Sequence, residues 1–480
     1  KIVGMHIGSN TDSCYFRPIT SAMYPPTVQM EMGSFKGPLS EFAKPYYPTK
    51  DGRRIYAKTV HTSYLPDKTK IYRSMFEYDG CEFEPSVLSK FDPRAEIENL
   101  VFNESMKWTR EPIWLSPTHI EQIRYRMSLL GDWVGQKLKT FGITTKILTK
   151  QSALNSVRGY SHSKPINIGT SAGYPFSTMS AGKRELIEVS DKTGERSFTR
   201  DLEAKELLHV AIDHVLKSAK NGELAEVAFS IFPKDELLKK SKLKTKTRTI
   251  AASPIHLTIA LRMYFHTINA AIAELWHILP IKNGISANST DWHTLVTWLQ
   301  EAGTQGFSLD QKDFDFNSHP EVNRAVVNFD NAIAVLTDPN WKSEDDVMRS
   351  NLRENLVEFY FIVLGLVYRA GIGVASGQPH TTPDNSKISL FYIFDAFLDL
   401  APSWIRPDVN LFMKLVRIGV IGDDVIVFFN DMIAGWFNGK TVPEHLNKKY
   451  NLVFTPSDKS ADFYRSKPIE ELDFLSRTFK

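Results

Sequence analysis

Apolar positions recur along this 480-residue chain with two periods. A helical spacing of three and four runs through 121–138 and 202–219, with a longer mixed stretch at 255–278 and a shorter one at 291–301. Another helix is expected from Pro320, a residue suited to the first helical turn. Residues 385–400 are apolar on nearly every face, as in a buried helix. Short apolar runs predict strands at 226–232, 306–310, 450–454 and 472–479. Between Leu415, Val416, Ile418 and Val420 on one side and the apolar run 425–429 on the other lies Ile421-Gly422-Asp423-Asp424. That layout predicts a hairpin whose turn carries two adjacent carboxylates. Residues 356–368 are apolar but interrupted by Glu358 and too short to cross a bilayer, which predicts core. Residues 1–50 and 160–185 are irregular, rich in Pro, Gly, Tyr or Ser. Helices and mostly antiparallel strands intermix without a βαβ rhythm, so the expected fold class is α+β.

Composition changes this picture little. Apolar content of 42% and aromatic content of 12% belong to a folded chain, long enough for two or three sub-domains. A net charge of +3 means that contact with a polyanion must come from local clustering. Cys14 and Cys81 are too few for a disulfide framework or a structural zinc site, which points to a reducing compartment. The start at Lys1, already in strand-like sequence, suggests a piece of a longer polypeptide.

Four local clusters carry candidate chemistry. Asp310 closes the apolar stretch 306–310. One carboxylate at a strand end and two on a neighbouring hairpin can assemble a two-cation site for nucleotidyl transfer, and oxygen ligands suit Mg²⁺. Lys240, Lys242, Lys244, Lys246 and Arg248 recur at every second residue. If extended, they share one face at a spacing of roughly 6.6 Å, suited to a row of phosphates; a lysine-guarded edge strand is the alternative. In the loop from Ser376 to Asn385, Gly377 permits close approach of a ligand, and Thr381 and Asn385 share a face if a helix begins near Thr382. The alternative there is an ordinary Thr-capped helix start. In Thr170-Ser171-Ala172-Gly173-Tyr174-Pro175, small residues flank one aromatic and would let a nucleic-acid strand pass closely.

In this order, these stretches resemble the RNA-dependent RNA polymerases of picornaviruses and picorna-like positive-strand RNA viruses. Lys68-Thr69-Lys70-Ile71 and residues 84–94 are similar to the amino-terminal fingers segment. Residues 170–175 resemble motif G, and Lys234-Asp235-Glu236-Leu237 through Arg248 motif F. Asp310 and Asp315 resemble motif A, while Ser376, Gly377, Thr381 and Asn385 resemble motif B. Gly422-Asp423-Asp424 resembles motif C, Thr455-Pro456-Ser457-Asp458-Lys459-Ser460 motif D, and Phe474-Leu475-Ser476-Arg477 motif E.

The resemblance implies template-directed addition of nucleoside triphosphates to a 3′-hydroxyl, using two Mg²⁺ or Mn²⁺ ions. Asp310 and Asp423 would hold the metals with Asp424 in support, and Lys459 would protonate the leaving pyrophosphate. Asp315 and Asn385 would read the ribose 2′-hydroxyl, with Thr381 beside them and Ser376 and Gly377 in a loop that aids translocation. Lys234, Lys246 and Arg248 would neutralise the triphosphate. Thr170, Ser171, Gly173, Tyr174 and Arg477 would contact template or primer, and Asp313 would be a solvated charge. It also implies a right-hand architecture with fingers at 31–255 and 350–373 and palm at 256–349 and 374–480. Residues 1–15 resemble the last strands of a chymotrypsin-like cysteine protease, with His6 in its specificity pocket, which makes 1–30 a protease remnant and junction, and a helical thumb is expected to be missing. Expected partners are template and nascent RNA, nucleoside triphosphates, a genome-linked protein primer and other viral replication proteins. The expected location is the host cytoplasm, at membrane-associated replication complexes, although the chain shows no transmembrane segment of its own. Three positions depart from the family pattern: Ile421 where Tyr is usual, Ser476 where Lys is frequent, and His380 in place of a small residue. The rivals are a reverse transcriptase built on the same palm, and an RNA-binding protein with relic carboxylates.

Overall fold

The computed structural model describes residues 35–38, 46–48, 54–56, 69–71, 81–89, 92–96, 100–178, 182–458 and 462–479. The protease-like segment 1–30 with His6, and Lys459, lie outside these described residues. The described residues divide into two units. The first falls within Lys1–Glu111, Asn167–Ala260 and Glu354–Pro379, the second within Pro112–Ile166, Leu261–Arg353 and His380–Lys480.

In the first unit, five strands form one sheet in the order Phe35–Pro38, Leu366–Arg369, Tyr360–Val363, Phe229–Pro233, Thr249–Ala252. Only Tyr360–Val363 with Phe229–Pro233 is parallel. The apolar stretch 356–368 supplies its central hairpin, turned by Leu364 and Gly365 at φ 51° and 77°, and is core as expected. Trp108 packs edge-on against Phe359 at 5.6 Å beneath it. Helix Leu202–Lys220 starts where Asp201 accepts the Ala204 N–H at 2.8 Å.

The lysine-rich segment corrects an expectation. It is not one extended strand: Leu237–Lys239 is a strand, Lys240–Leu243 a short helical turn, and strand Thr249–Ala252 begins after Arg248. The physical reason is apolar anchoring. Leu243 is buried, and buried Thr247 donates to the Val87 carbonyl at 3.1 Å, so the chain turns to seat them and the period-two extended geometry that would align the five cations is absent.

The second unit is built on an antiparallel sheet in the order Val416–Ile421, Asp424–Phe429, Gln305–Gln311, Phe454–Pro456, with Lys467–Pro468 also paired to the start of Gln305–Gln311. Three long helices support it: Pro117–Thr140, Pro320–Thr337 with proline in its first turn, and Thr381–Leu400. The first two approach closely because Gly131 and Gly135 present no side chain. A Cβ at Gly131 would collide with the Phe329 carbonyl oxygen, and one at Gly135 would lie 3.2 Å from Ile333 Cα. Two strand expectations change. Residues 441–450 are helical and end at Asn451 with φ 57°, so the strand begins only at Phe454. Residues 472–479 are a tight hairpin, Asp473–Phe474 against Arg477–Thr478, with Leu475 and Ser476 both at positive φ. Helices intermixed with these sheets make the chain α+β, as its pattern predicts. Among the described residues, no helix is long and apolar enough to cross a membrane.

Candidate active site

Strand register assembles the acidic trio in the second unit. Asp310, near the end of Gln305–Gln311, stands directly across from Asp424 and, on its other side, across from Thr455. Ile421 and Asp424 close the hairpin, leaving a two-residue loop of Gly422 and Asp423. Of those two only Gly422 has positive φ, 63°, the pattern of a II′ turn with glycine in its first central position. Like charges directly opposite on a sheet repel. Burial first, and then the neighbouring Asp423 charge, push the Asp424 carboxyl up to about 6. A raised Asp424 carboxyl, with Asp310 across the strand from it and Asp423 beside it in the turn, suits a hard divalent cation, whose charge offsets theirs.

Gly422 is itself buried, so its backbone groups need partners. Helix Thr381–Leu400 supplies both. Gly422 N–H donates to Ser386 Oγ at 2.8 Å, and Ser389 Oγ donates to the Gly422 carbonyl at 2.7 Å. Neither serine stood among the residues expected at the site from the sequence. The pair's signal was two serines three apart, on one face of the helix.

The same helix begins at Thr381, after His380, which makes no side-chain capping bond. His380 is buried against His266, rings stacked at 6.1 Å, and burial holds it neutral, well below the usual histidine range. Thr381 and Asn385 lie four apart on the helix, as expected. Asn385 is 6% exposed, and its Oδ1 is buried without a hydrogen-bond partner among the described residues. On either side of Asn385 and Ser386 stand the members of a buried ionic cluster. Arg353 pairs with Asp384, while Lys387 reaches Asp330 at 2.6 Å and Asp384 at 3.4 Å. Burial alone would raise the Asp384 carboxyl; Arg353 and Lys387 outweigh it and hold it below the ordinary range. Asp315 sits half-buried in the turn of helix Phe314–Asn317. Asp313 is half-buried at φ 50°, a left-handed position that Asp tolerates.

The remaining candidates of the second unit are peripheral to the trio in sequence. Asp458 of the motif D segment pairs with Lys467 at 2.7 Å. Arg477 is exposed on the terminal hairpin, which is anchored by Trp292 stacked on Phe474 and Phe479 at 6.1 and 4.9 Å. Among the described residues, the group whose ligand atoms lie within 4.8 Å of one another is a different one, Asp395 and Asp399 with His445. Its carboxylates are already satisfied: Lys449 lies 2.7 Å from both, Arg126 bonds both, and Tyr450 donates to Asp395 at 2.9 Å. It is a structural tie and not a competing metal centre.

The first unit holds the other candidates. Lys234 and Arg248 share Glu236, at 3.0 and 3.3 Å, so one carboxylate gathers two of the cations meant for phosphate. Neighbouring Asp235 accepts from Thr69 Oγ1 at 2.7 Å and from the Lys70 N–H at 2.6 Å, tying the amino-terminal segment to this loop. Ser376 Oγ accepts the Ala251 N–H at 3.4 Å, and Gly377 bridges Ala252. A Cβ at Gly377 would strike the Ala251 carbonyl, which explains the glycine. Tyr174 corrects another expectation. Its ring is buried among Ala228, Tyr360, Ile362 and Val367, and burial pushes its hydroxyl up to about 12, so it offers no face to a passing base. Exposed Thr170, held by Lys183 at 2.7 Å, is the accessible part of that loop.

This assembly of register-paired carboxylates and supporting helix defines a polymerase palm, and a model of the viral RNA-dependent RNA polymerase family matches residues 75–480, so the chain belongs to that family. Membership implies use of a divalent metal. The chain is 29% identical over 442 residues to the RNA1 polyprotein of Tomato torrado virus, covering 87% of this chain and 20% of that protein. To the RNA1 polyprotein of Cherry rasp leaf virus it is 28% identical over 472 residues, covering 90% and 20%. The chain thus spans about a fifth of the length of these relatives. Among solved structures, a Sicinivirus 3Dpol RNA-dependent RNA polymerase superposes with a TM-score of 0.66 at 21% identity, over 88% of this chain and 80% of that one.

Proposed function

We propose that the chain copies an RNA template by adding ribonucleoside triphosphates to a 3′-hydroxyl, as the polymerase of a positive-strand RNA virus. The observation that carries this reading is the register that sets Asp310 opposite Asp424, with Asp423 in the adjoining turn. These three would hold two Mg²⁺ or Mn²⁺ ions, which when bound lower the pKa of the attacking hydroxyl and offset charge on the leaving pyrophosphate. Asn385, buried with an unsatisfied oxygen, suits recognition of a ribose 2′-hydroxyl together with Asp315 and Thr381. Lys234, Lys246 and Arg248 are assigned to the triphosphate, Lys459 to proton donation, and Thr170, Ser171, Gly173 and Arg477 to template or primer. We assign residues 31–255 and 350–373 to fingers and 256–349 and 374–480 to palm. A genome-linked protein primer, further viral replication proteins and a site at host cytoplasmic membranes complete the reading.

The test is single-nucleotide incorporation on a primed RNA hairpin by the mature polymerase that carries this chain. Incorporation should need Mg²⁺ or Mn²⁺, prefer ribonucleotides, and fall by about 10³-fold or more in Asp423→Ala. Preference for deoxynucleotides would establish a reverse transcriptase instead. Intact RNA binding with no metal-dependent incorporation would establish a relic.

A further inference from the structure

The acidic turn has a mechanical problem that the metal alone does not solve. Before any cation arrives, Asp310, Asp423 and Asp424 repel one another, and the two-residue loop that carries Asp423 lies outside the strand ladder. Nothing within the hairpin bonds its central backbone groups in a II′ turn. Ser386 and Ser389 take both groups of Gly422 at 2.8 and 2.7 Å. Ser386 is itself oriented: its hydroxyl has the Thr382 carbonyl at 2.7 Å and Asn283 Oδ1 at 3.0 Å as acceptors, which leaves a lone pair for the Gly422 N–H. Asn385, the candidate reader of the sugar, is covalently next to Ser386.

We propose that Ser386 and Ser389 are positioning residues that clamp Gly422, set the aim of Asp423 and Asp424, and so make divalent-cation affinity depend on the helix that carries Asn385. The consequence for nucleotide addition rests on the polymerase reading; the clamp itself does not. A displacement of the helix at Asn385 is passed through one peptide unit to Ser386 and from there to the carboxylate turn. The clamp therefore gives sugar recognition a physical route to the metal site.

The experiment measures Mn²⁺ affinity by electron paramagnetic resonance, without RNA or nucleotide, together with amide hydrogen exchange. Variants are Ser386→Ala, Ser389→Ala and Ser386→Thr. Asp423→Ala identifies the Mn²⁺ signal of the site, and Ser350→Ala is a control on helix Ser343–Glu354, whose hydroxyl bonds the Asp346 carbonyl of that same helix. Ser386→Ala should weaken Mn²⁺ binding about 10-fold, the effect usual for a group that orients a metal ligand, and should accelerate exchange of the Gly422 amide by a similar factor. Ser389→Ala should weaken Mn²⁺ binding about 3-fold or more without freeing that amide, because it removes the carbonyl partner only. Ser386→Thr, which keeps the oxygen, should restore both readouts to within about 2-fold. Unchanged Mn²⁺ affinity in both alanine variants would overturn the clamp, whatever happens to activity. So would exchange raised evenly across the helix in both variants, since that marks a merely structural role. If the unaltered enzyme adds no nucleotide, the polymerase reading fails while the Mn²⁺ and exchange results still decide the clamp.

Discussion

Asn385 and Asp384 are neighbours on one helix, both buried, yet their environments give opposite expectations. Asn385 has an oxygen with no partner among the described residues, so shortening it removes little that holds the fold together. Asn385→Ala should leave the melting temperature within a few degrees and lower the preference for ribo- over deoxynucleotides by about 10- to 100-fold in kcat/KM, the scale of one lost hydrogen bond to substrate. Asp384 faces Arg353 and Lys387, so Asp384→Asn strands the Arg353 guanidinium in the interior and leaves Lys387 with Asp330 alone. Urea unfolding should show a loss of about 3–5 kcal/mol. The spacing of Thr381 and Asn385 was legible in the sequence because it is local. The cluster was not: Arg353 lies 31 positions from Asp384, and Asp330 lies 57 from Lys387. Nor could the sequence distinguish Tyr174 as core from Tyr174 as a stacking platform, since only its contacts with Tyr360 and Val367 decide that.

At the scale of elements, features set by local chemistry could be read and those set by anchoring could not. The hairpin around Gly422-Asp423 announces itself through two apolar runs and a glycine. The terminal hairpin hides because Leu475 and Ser476 occupy positive φ, which neither residue type signals. The lysine ladder misled for a related reason: alternation in charge predicts a strand only if no single apolar residue claims the interior, and Leu243 does. Helix pairing follows a different logic, that of size. Gly131 exists where Pro117–Thr140 touches the backbone of Pro320–Thr337, so even a methyl has no room. Gly131→Ala should destabilise the protein by about 1–3 kcal/mol, despite the higher helix propensity of alanine. Gly142→Ala makes a poor comparison, because Gly142 has φ 69° and is strained whatever the space. The informative control is Ser128→Ala on the same helix, a half-buried residue whose hydroxyl makes only a solvent-exposed bond to the Tyr125 carbonyl among the described residues, and it should change stability by less than about 0.5 kcal/mol. Thermal unfolding followed by circular dichroism checks both.

Across the whole molecule, both units conceal histidines that fold neutral. In the first, His256 packs against Phe176 at 5.5 Å; in the second, His266 sits beside Arg262. Burial, seconded by His214 for one and by Arg262 for the other, pushes each down to about 3. An unfolded histidine takes up its proton near pH 6.5. Each group therefore contributes stability that is fully present above 6.5 and is lost as pH falls toward the folded value. Between those limits the unfolded chain binds the extra proton, at about 1.4 kcal/mol per pH unit for each histidine. Urea midpoints at pH 7, 6 and 5 should fall with growing slope, and in His256→Phe the slope should drop by about one proton. A slope unchanged in that variant would mean that His256 is charged in the folded protein, which its apolar surroundings and the aromatic contact oppose. The acidic trio pulls the other way: Asp424 holds its proton up to about 6, so acid relieves its repulsion while it charges the histidines. The two effects separate by metal. A divalent cation removes the repulsion at Asp424 but leaves the histidines untouched, so added Mg²⁺ should raise the midpoint at pH 7 and do progressively less at pH 5, where protons compete for the same oxygens.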